Sequence, residues 1–147
     1  MKYQNYIGID PDVTKNGVAF YERATKKLEL SNLTFFELFD YLQFVKKVSK
    51  EENQSVSVII DAGWLNKSNF HVTGQNKSIN GQIGERVGAN HQVGKLIVEM
   101  CIYLDLDYKL NKPTKSKVNA ETFAKITGII GRTNQEQRDA GMLVYGL

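Results

Sequence analysis

The sequence predicts an α/β fold in which helices cover both faces of a mixed five-stranded sheet. Strand-like and helix-like segments follow one another in the order strand, strand, strand, helix, strand, helix, strand, helix, helix. Such an order is typical of domains whose sheet is covered on both sides. The 147 residues, 41% hydrophobic and 24% charged, fit one globular domain spanning 1–147.

Three short strands open the chain. Residues 6–9 form an apolar run that predicts a buried strand, and the residues 10–12 (DPD) stop it. Turn-forming residues at 15–17 (KNG) lead into a second strand at 18–21. The alternation at 28–31 predicts a third strand with one face toward solvent.

A helix and the most hydrophobic strand come next. Thr34 and Glu37 have the spacing of a capping box, and apolar residues then recur at helical spacing as far as Val45. Residues 56–60 (VSVII) are rich in β-branched side chains and predict a strand that ends at Asp61.

The second half of the chain is predicted to be mainly helical. Residues 63–84 contain several Gly, Asn and Ser residues and predict a long polar loop. A helix of about five turns follows and ends near Leu104. A short strand is expected at 108–110, a helix at 120–126 closed by Gly128, and a last helix that begins at Thr133.

Composition narrows the class of protein. No apolar run approaches the length of about 18 residues that a membrane helix needs, and the N-terminus does not resemble a signal peptide. The one cysteine, Cys101, cannot form an internal disulfide. We therefore expect a cytoplasmic protein without membrane contact.

The basic residues are unevenly distributed over a chain whose net charge is only +3. Residues 64–95 and 109–132 are both clearly basic, whereas 1–61 are nearly balanced. Basic segments of this kind are compatible with a polyanion-binding surface and equally with ordinary solvated faces. The basic residues that we predict to contact nucleic acid are Lys112, Lys115, Lys117, Lys125 and Arg132.

Four acids are placed where an α/β sheet presents chemistry. Asp10 and Asp61 end two predicted strands, and functional groups gather beyond the carboxyl ends of strands in open α/β sheets. Glu136 and Asp139 lie three residues apart, on one face of the last helix, beside an apolar stripe. Converging carboxylates without a cysteine or histidine cluster suit Mg²⁺ or Mn²⁺. Two such ions can catalyse phosphodiester hydrolysis.

Each acid also has a simpler interpretation. Asp10 and Asp61 could be turn residues at strand ends, and Asp139 could be a surface residue. Glu136 could close a capping box with Thr133.

The chain resembles the RuvC-like Holliday junction resolvases of the RNase H-like superfamily, especially phage and prophage members. The resemblance lies in four segments in family order: 7–19 (IGIDPDVTKNGVA), 58–61 (VIID), 113–118 (PTKSKV) and 136–140 (EQRDA). It implies an RNase H-like fold and a Mg²⁺-dependent endonuclease. Such an enzyme binds a four-way DNA junction as a homodimer and nicks two strands.

The resemblance also implies residue roles. Asp10, Asp61, Glu136 and Asp139 would be the catalytic metal ligands, and Trp64 would be the aromatic residue that follows the second acid. An exposed Trp could stack on an unpaired base, although a lid over the core is the alternative. The sequence departs from the family pattern where Asp61 replaces the usual Glu and Glu136 replaces a frequent Asp.

Other functions remain open at this point. An RNase H-like nuclease could instead act on other branched DNA or on structured RNA, and a non-catalytic DNA-binding module could use the acids structurally. The pattern GIDP-x-x-T also resembles the phosphate-binding opening of actin-like kinases, which need a much longer chain.

Two further predictions concern the surface of the protein. His71 and His91 are expected to be surface histidines. The helix from Glu85 to Leu104, with Gly88 and Gly94, is our candidate dimer interface.

Overall fold

A five-stranded mixed sheet forms the centre of the protein in the computed structural model, which describes residues 2–66, 77–114 and 116–147 and only the backbone of 77–80. Its strands are β1 (Asn5–Asp10), β2 (Asn16–Glu22), β3 (Lys27–Leu33), β4 (Val56–Asp61) and β5 (Asp107–Asn111). The order across the sheet is β3-β2-β1-β4-β5. The first three strands are antiparallel, whereas β4 and β5 continue from β1 in parallel. The predicted mixed five-stranded sheet is thereby confirmed.

Helices follow the predicted order with shifted ends. They are α1 (Phe35–Glu51), α2 (Lys77–Tyr103), α3 (Ala120–Thr127) and α4 (Gln135–Val144), together with a 3-10 turn at Gly63–Leu65. The capping box of α1 is present, since Thr34 and Glu37 each accept a hydrogen bond from the other's backbone N–H. Among the described residues, no helix is both long and apolar enough to cross a membrane.

One sequence prediction about the helices was wrong, and one alternative interpretation is excluded. Residues 77–84 belong to α2 and not to the polar loop, so this helix has 27 residues instead of about five turns; residues 67–76 of that loop lie outside the described part of the chain. Helix α4 is capped by Asn134 in a box with Gln137, so Thr133 and Glu136 do not form the box we considered.

Both faces of the sheet are covered. Ile7, Ile9 and Ile60 point to one face, where they pack with α1 and α2 in the main core. Tyr6 and Ala19 point to the other face and pack with α4. Burial on two faces explains why the central strands read as continuous apolar runs.

Two glycines bring α4 very close to the sheet. A Cβ on Gly8 would lie 2.2 Å from the carbonyl oxygen of Ala140, and a Cβ on Gly17 would lie 2.1 Å from that of Glu136. Only a residue without a side chain permits this approach. The contact places the first turns of α4 beside the end of β1, where Asp10 lies.

Candidate active site

Asp10 and Asp61 lie side by side at one edge of the sheet. They end β1 and β4, which are parallel neighbours with Ile9 opposite Ile60. Both carboxylates line one cleft. The strands end in acids at the sheet edge where the sequence predicted functional groups to gather.

The charge environment of Asp10 shows that the acids converge. Burial, followed by the charges of Asp139 and Asp61, raises the pKa of Asp10 from 3.8 to about 7. Glu136 adds a smaller effect in the same direction, and Lys117 opposes it. A carboxyl group that is destabilised by burial and by like charges is a frequent feature of functional sites.

Asp61 is also partly buried near charged groups, but opposing effects act on its pKa. Burial raises its pKa, while a side-chain hydrogen bond from Asn111 and the charge of Lys117 lower it. Asn111 lies directly opposite Asp61 in the register of β4 and β5. The end of a third parallel strand therefore contributes a polar group to this edge.

Asp139 projects from α4 toward the same acids. Its side chain is only 14% exposed, which rules out the surface interpretation. The Oδ1 atom accepts a hydrogen bond of 2.8 Å from Gln135 Nε2, and Oδ2 accepts one of 2.5 Å from Lys117 Nζ. Asp139 thus has a partner on each oxygen.

Side chains of α4 hold the segment that carries Lys117. Arg138 Nε donates to the carbonyl oxygen of Val118 at 3.0 Å, and Gln135 Nε2 donates to it at 3.4 Å. Arg138 also donates to the carbonyl oxygen of Thr133 at 2.7 Å. Arg138 is therefore a clamp between α4 and the loop before α3.

Glu136 lies at the margin of the acidic group. It is half-buried and lines a separate cleft with Asp12 and Arg86, although its charge still reaches Asp10. The structure thus groups Asp10, Asp61 and Asp139, with Glu136 beside them. Asp12, in contrast, closes the turn after β1, because its Oδ1 accepts from the backbone N–H of Thr14 at 2.8 Å.

The donor set suits a hard divalent cation. Three partly buried carboxylates supply oxygen atoms of the kind that Mg²⁺ prefers. Within the described ranges, no three Asp, Glu, His or Cys side chains are close enough to hold one ion in this conformation. The Lys117 ammonium is bonded to Asp139 in it. The chemistry of the donors fits the ion, although their side chains do not converge on one point in this conformation.

Trp64 forms a wall of the cleft that contains Asp10 and Asp61. The ring is half-buried and lies edge to face against His91, with centroids 6.5 Å apart. It also covers Gly94, where a Cβ would lie 2.3 Å from the ring. The ring of Trp64 therefore covers Gly94 within the same chain. Gly94 is not available for the close helix approach that we predicted for a dimer.

The predicted basic residues are found in different surroundings. Lys117 lies in the acidic group, Lys125 forms an ion pair of 2.9 Å with Glu121, and both Lys112 and Arg132 are exposed. Lys115 lies outside the described residues.

Sequence reasoning missed several members of the site. Asn111 could have been found from its place at the end of a third parallel strand, and Gln135 from its spacing of four residues before Asp139. His91, which was expected on the surface, is half-buried in the cleft. Nothing in the local sequence around His91 indicates this position.

Of the comparisons with known proteins, the one with solved structures gives a match. No protein-family model and no curated protein matches the chain. Among solved structures, the chain is similar to T. thermophilus RuvC in complex with Holliday junction substrate, at 14% identity and a TM-score of 0.49. The match covers 96% of this chain and 90% of that one. At this level of likeness, function has to be inferred from the side chains of this chain.

Proposed function

We propose that the protein is a metal-dependent DNA endonuclease that resolves four-way junctions by paired nicks. The observation that carries the proposal is the convergence of Asp10, Asp61 and Asp139 from two strand ends and a helix. Burial, together with the charges of Asp139 and Asp61, raises the pKa of Asp10 to about 7. A fold gains no stability from packing like charges together, so the group is better explained by a ligand cation.

Asp10, Asp61 and Asp139 would hold Mg²⁺, or Mn²⁺ in its place, with Glu136 as a further ligand at the margin. When bound, the ions would activate water and stabilise the leaving oxygen in phosphodiester hydrolysis. The chain's own contribution is orientation: Gln135 fixes one oxygen of Asp139, and Asn111 supports Asp61. Trp64 and His91 line one side of the cleft.

The DNA-binding surface in this proposal is formed by the segment between β5 and α4. Lys112, Lys117, Lys125 and Arg132 lie on the segment between β5 and α4, and such residues would bind phosphates without reading sequence. Lys115 of the same segment is assigned this role from the sequence alone. Trp64 is the candidate for stacking on an unpaired base at the branch point.

The four-way junction is the favoured substrate because of the resemblance of the sequence motifs. A junction has near two-fold symmetry, and two opposed nicks call for two identical sites related by the same axis. We therefore propose that the active form is a homodimer.

The experiment compares labelled four-way junction, linear duplex and RNA–DNA hybrid, each with Mg²⁺ and with EDTA. We expect paired nicks in the junction only when Mg²⁺ is present, and junction binding that persists in EDTA, because Lys and Arg supply most of the phosphate contacts. Cleavage in excess EDTA would refute metal dependence. Preference for the hybrid would move the substrate to RNA, and binding without any cleavage would favour a non-catalytic module.

Variants of the acids test the site itself. Asp10→Asn, Asp61→Asn and Asp139→Asn should each lose at least about 10²-fold in nicking rate, since metal-ion catalysis supplies several kcal/mol. Glu136→Gln should lose less, because Glu136 lies at the margin of the group. The matched control is Asp105→Asn, in which the fully exposed acid lies outside the cleft. Wild-type nicking by any of the first three variants would remove that residue from the site.

A further inference from the structure

Both oxygen atoms of Asp139 are engaged in this conformation. Gln135, one turn earlier on α4, donates to Oδ1, and Lys117 donates to Oδ2. The Asp139 side chain is 14% exposed, so there is little water to replace a lost partner. A divalent cation that binds Oδ2 would therefore compete with the Lys117 ammonium, because two cations on one oxygen repel each other.

The same ammonium serves the whole acidic group. Lys117 and Asp139 line one cleft with Asp61. The charge of Lys117 lowers the pKa of Asp10 and of Asp61. Lys117 is thus the positive charge that partly offsets three clustered carboxylates in the described part of the molecule.

The backbone near Lys117 is fixed, but its side chain is not enclosed. Arg138 and Gln135 hold the next residue, Val118, by its carbonyl oxygen. The Lys117 side chain is 59% exposed and has four rotatable bonds in its stem. The ammonium can therefore leave Asp139 by rotation of the side chain, without movement of the loop or of α4.

We infer that Lys117 is an internal cation of the metal-free site, which neutralises Asp139 until a divalent ion binds and displaces it. This inference rests on the proposed function, because it takes the acidic group as the metal site. The inference gives Lys117 two successive partners. Its ammonium binds Asp139 when no metal is present, and it binds a DNA phosphate after the divalent ion has displaced it from Asp139. Lys117 is then a positioning residue that links metal loading to DNA contact.

The test uses DNA-free protein and the variant Lys117→Met, which keeps an unbranched side chain of nearly the same length and removes its charge. Without a competing ammonium, the variant should bind Mg²⁺ about 2- to 5-fold more tightly by titration calorimetry, the range expected for loss of one partly exposed ion pair. Its melting temperature in EDTA should fall, because Asp139 loses its counter-charge, and saturating Mg²⁺ should reduce or reverse that deficit.

The matched control is Lys27→Met, which removes the ion pair of 2.7 Å between the exposed side chains of Lys27 and Glu29 on β3. Its melting temperature should change equally with and without Mg²⁺, and its Mg²⁺ affinity should equal that of the wild type. If Lys117→Met also binds Mg²⁺ as the wild type does, or more weakly, the inference is overturned while the metal site stands. A wild type that binds no Mg²⁺ at millimolar concentration would overturn the metal site in the proposed function as well.

Discussion

Burial and neighbouring charges raise the pKa of the Asp10 carboxyl group to about 7. Its carboxyl group is partly buried next to Asp61 and Asp139, and it can escape the repulsion by taking up a proton. Proton uptake at a pKa of about 7 therefore makes this residue a source of pH dependence near neutrality.

The unfolding free energy of the metal-free protein should carry this dependence. The pKa of Asp10 is about 7 in the folded state and near 3.9 in the unfolded state. The folded state therefore binds the extra proton, and the stability that this supplies is complete below about pH 4 and lost as the pH rises through about 7. Urea unfolding in EDTA should show wild type losing stability relative to Asp10→Asn between pH 5 and pH 8. A constant difference across that range would mean that Asp10 ionises normally.

Trp64 has both a packing role and a position suited to stacking. Trp64→Ala should cost about 1–3 kcal/mol of stability, below the 3–5 kcal/mol of a fully buried Trp, because the ring is only half-buried. Nicking of an intact junction should also fall, and it should fall less on a junction with an unpaired branch point, where less unstacking is needed.

Trp64→Phe is the control for packing, because it keeps an aromatic ring against Gly94. It should recover most of the melting temperature and part of the nicking rate. Equal loss of nicking by Trp64→Ala on both junctions, together with a large fall in melting temperature, would leave only the packing role.

At the scale of elements, the position of α4 decides whether the site exists. Gly17→Ala should push α4 away from β2, because its Cβ would overlap the carbonyl oxygen of Glu136. We expect a loss of about 1–3 kcal/mol, the usual cost of overpacking. Mg²⁺ affinity should also fall, since Asp139 moves with the helix.

Gly88→Ala is the matched control for this substitution. Nothing lies within 4 Å of a Cβ at Gly88, and a helical Gly→Ala change stabilises by roughly 0.5–1 kcal/mol. Thermal melts and Mg²⁺ titrations of both variants test the prediction. Gly17→Ala with wild-type values in both would mean that α4 adapts without consequence.

The elements that the sequence predicted well are those with a strong local signal. The apolar runs that end in Asp10 and Asp61 and the Thr34–Glu37 box each specify their structure within a few residues. Helix α2 was predicted too short because Gly81 and Gly84 lower local helix propensity. Two possible capping boxes, Thr133 with Glu136 and Asn134 with Gln137, begin one residue apart before α4. Spacing alone does not distinguish between them.

The members of the site that were missed depend on tertiary structure. Lys117 was assigned to a phosphate surface by its charge, but its place against Asp139 follows from the clamp on Val118. His91 reaches the cleft because Trp64 and Gly63 lie against it. Contacts between segments so far apart leave no periodic pattern in the sequence.

At the scale of the whole molecule, the proposed homodimer needs an apolar surface. The candidate helix exposes Ile102 and Tyr103 near its end, with Tyr103 against Phe39 of α1 at 6.2 Å between ring centroids. Ile102→Asp should shift the protein to monomer in sedimentation experiments without lowering its melting temperature as a monomer. Paired nicks should then become single nicks.

Ile130→Asp is the control, because Ile130 is 98% exposed and lies outside that helix. It should leave the oligomeric state unchanged. A wild type that is monomeric at micromolar concentration, both free and on DNA, would contradict the dimer.

The close packing of α4 against Gly8 and Gly17 also has a consequence for the polypeptide during its synthesis. Asp10 and Asp61 are made early, but Asp139 and its partner Gln135 are added only with the helix that follows α3. A ribosome-bound chain that has emerged as far as α3 holds two of the three central acids and no support for a third. If the proposed chemistry is correct, nicking activity begins only after synthesis has reached α4 and this helix has docked on Gly8 and Gly17.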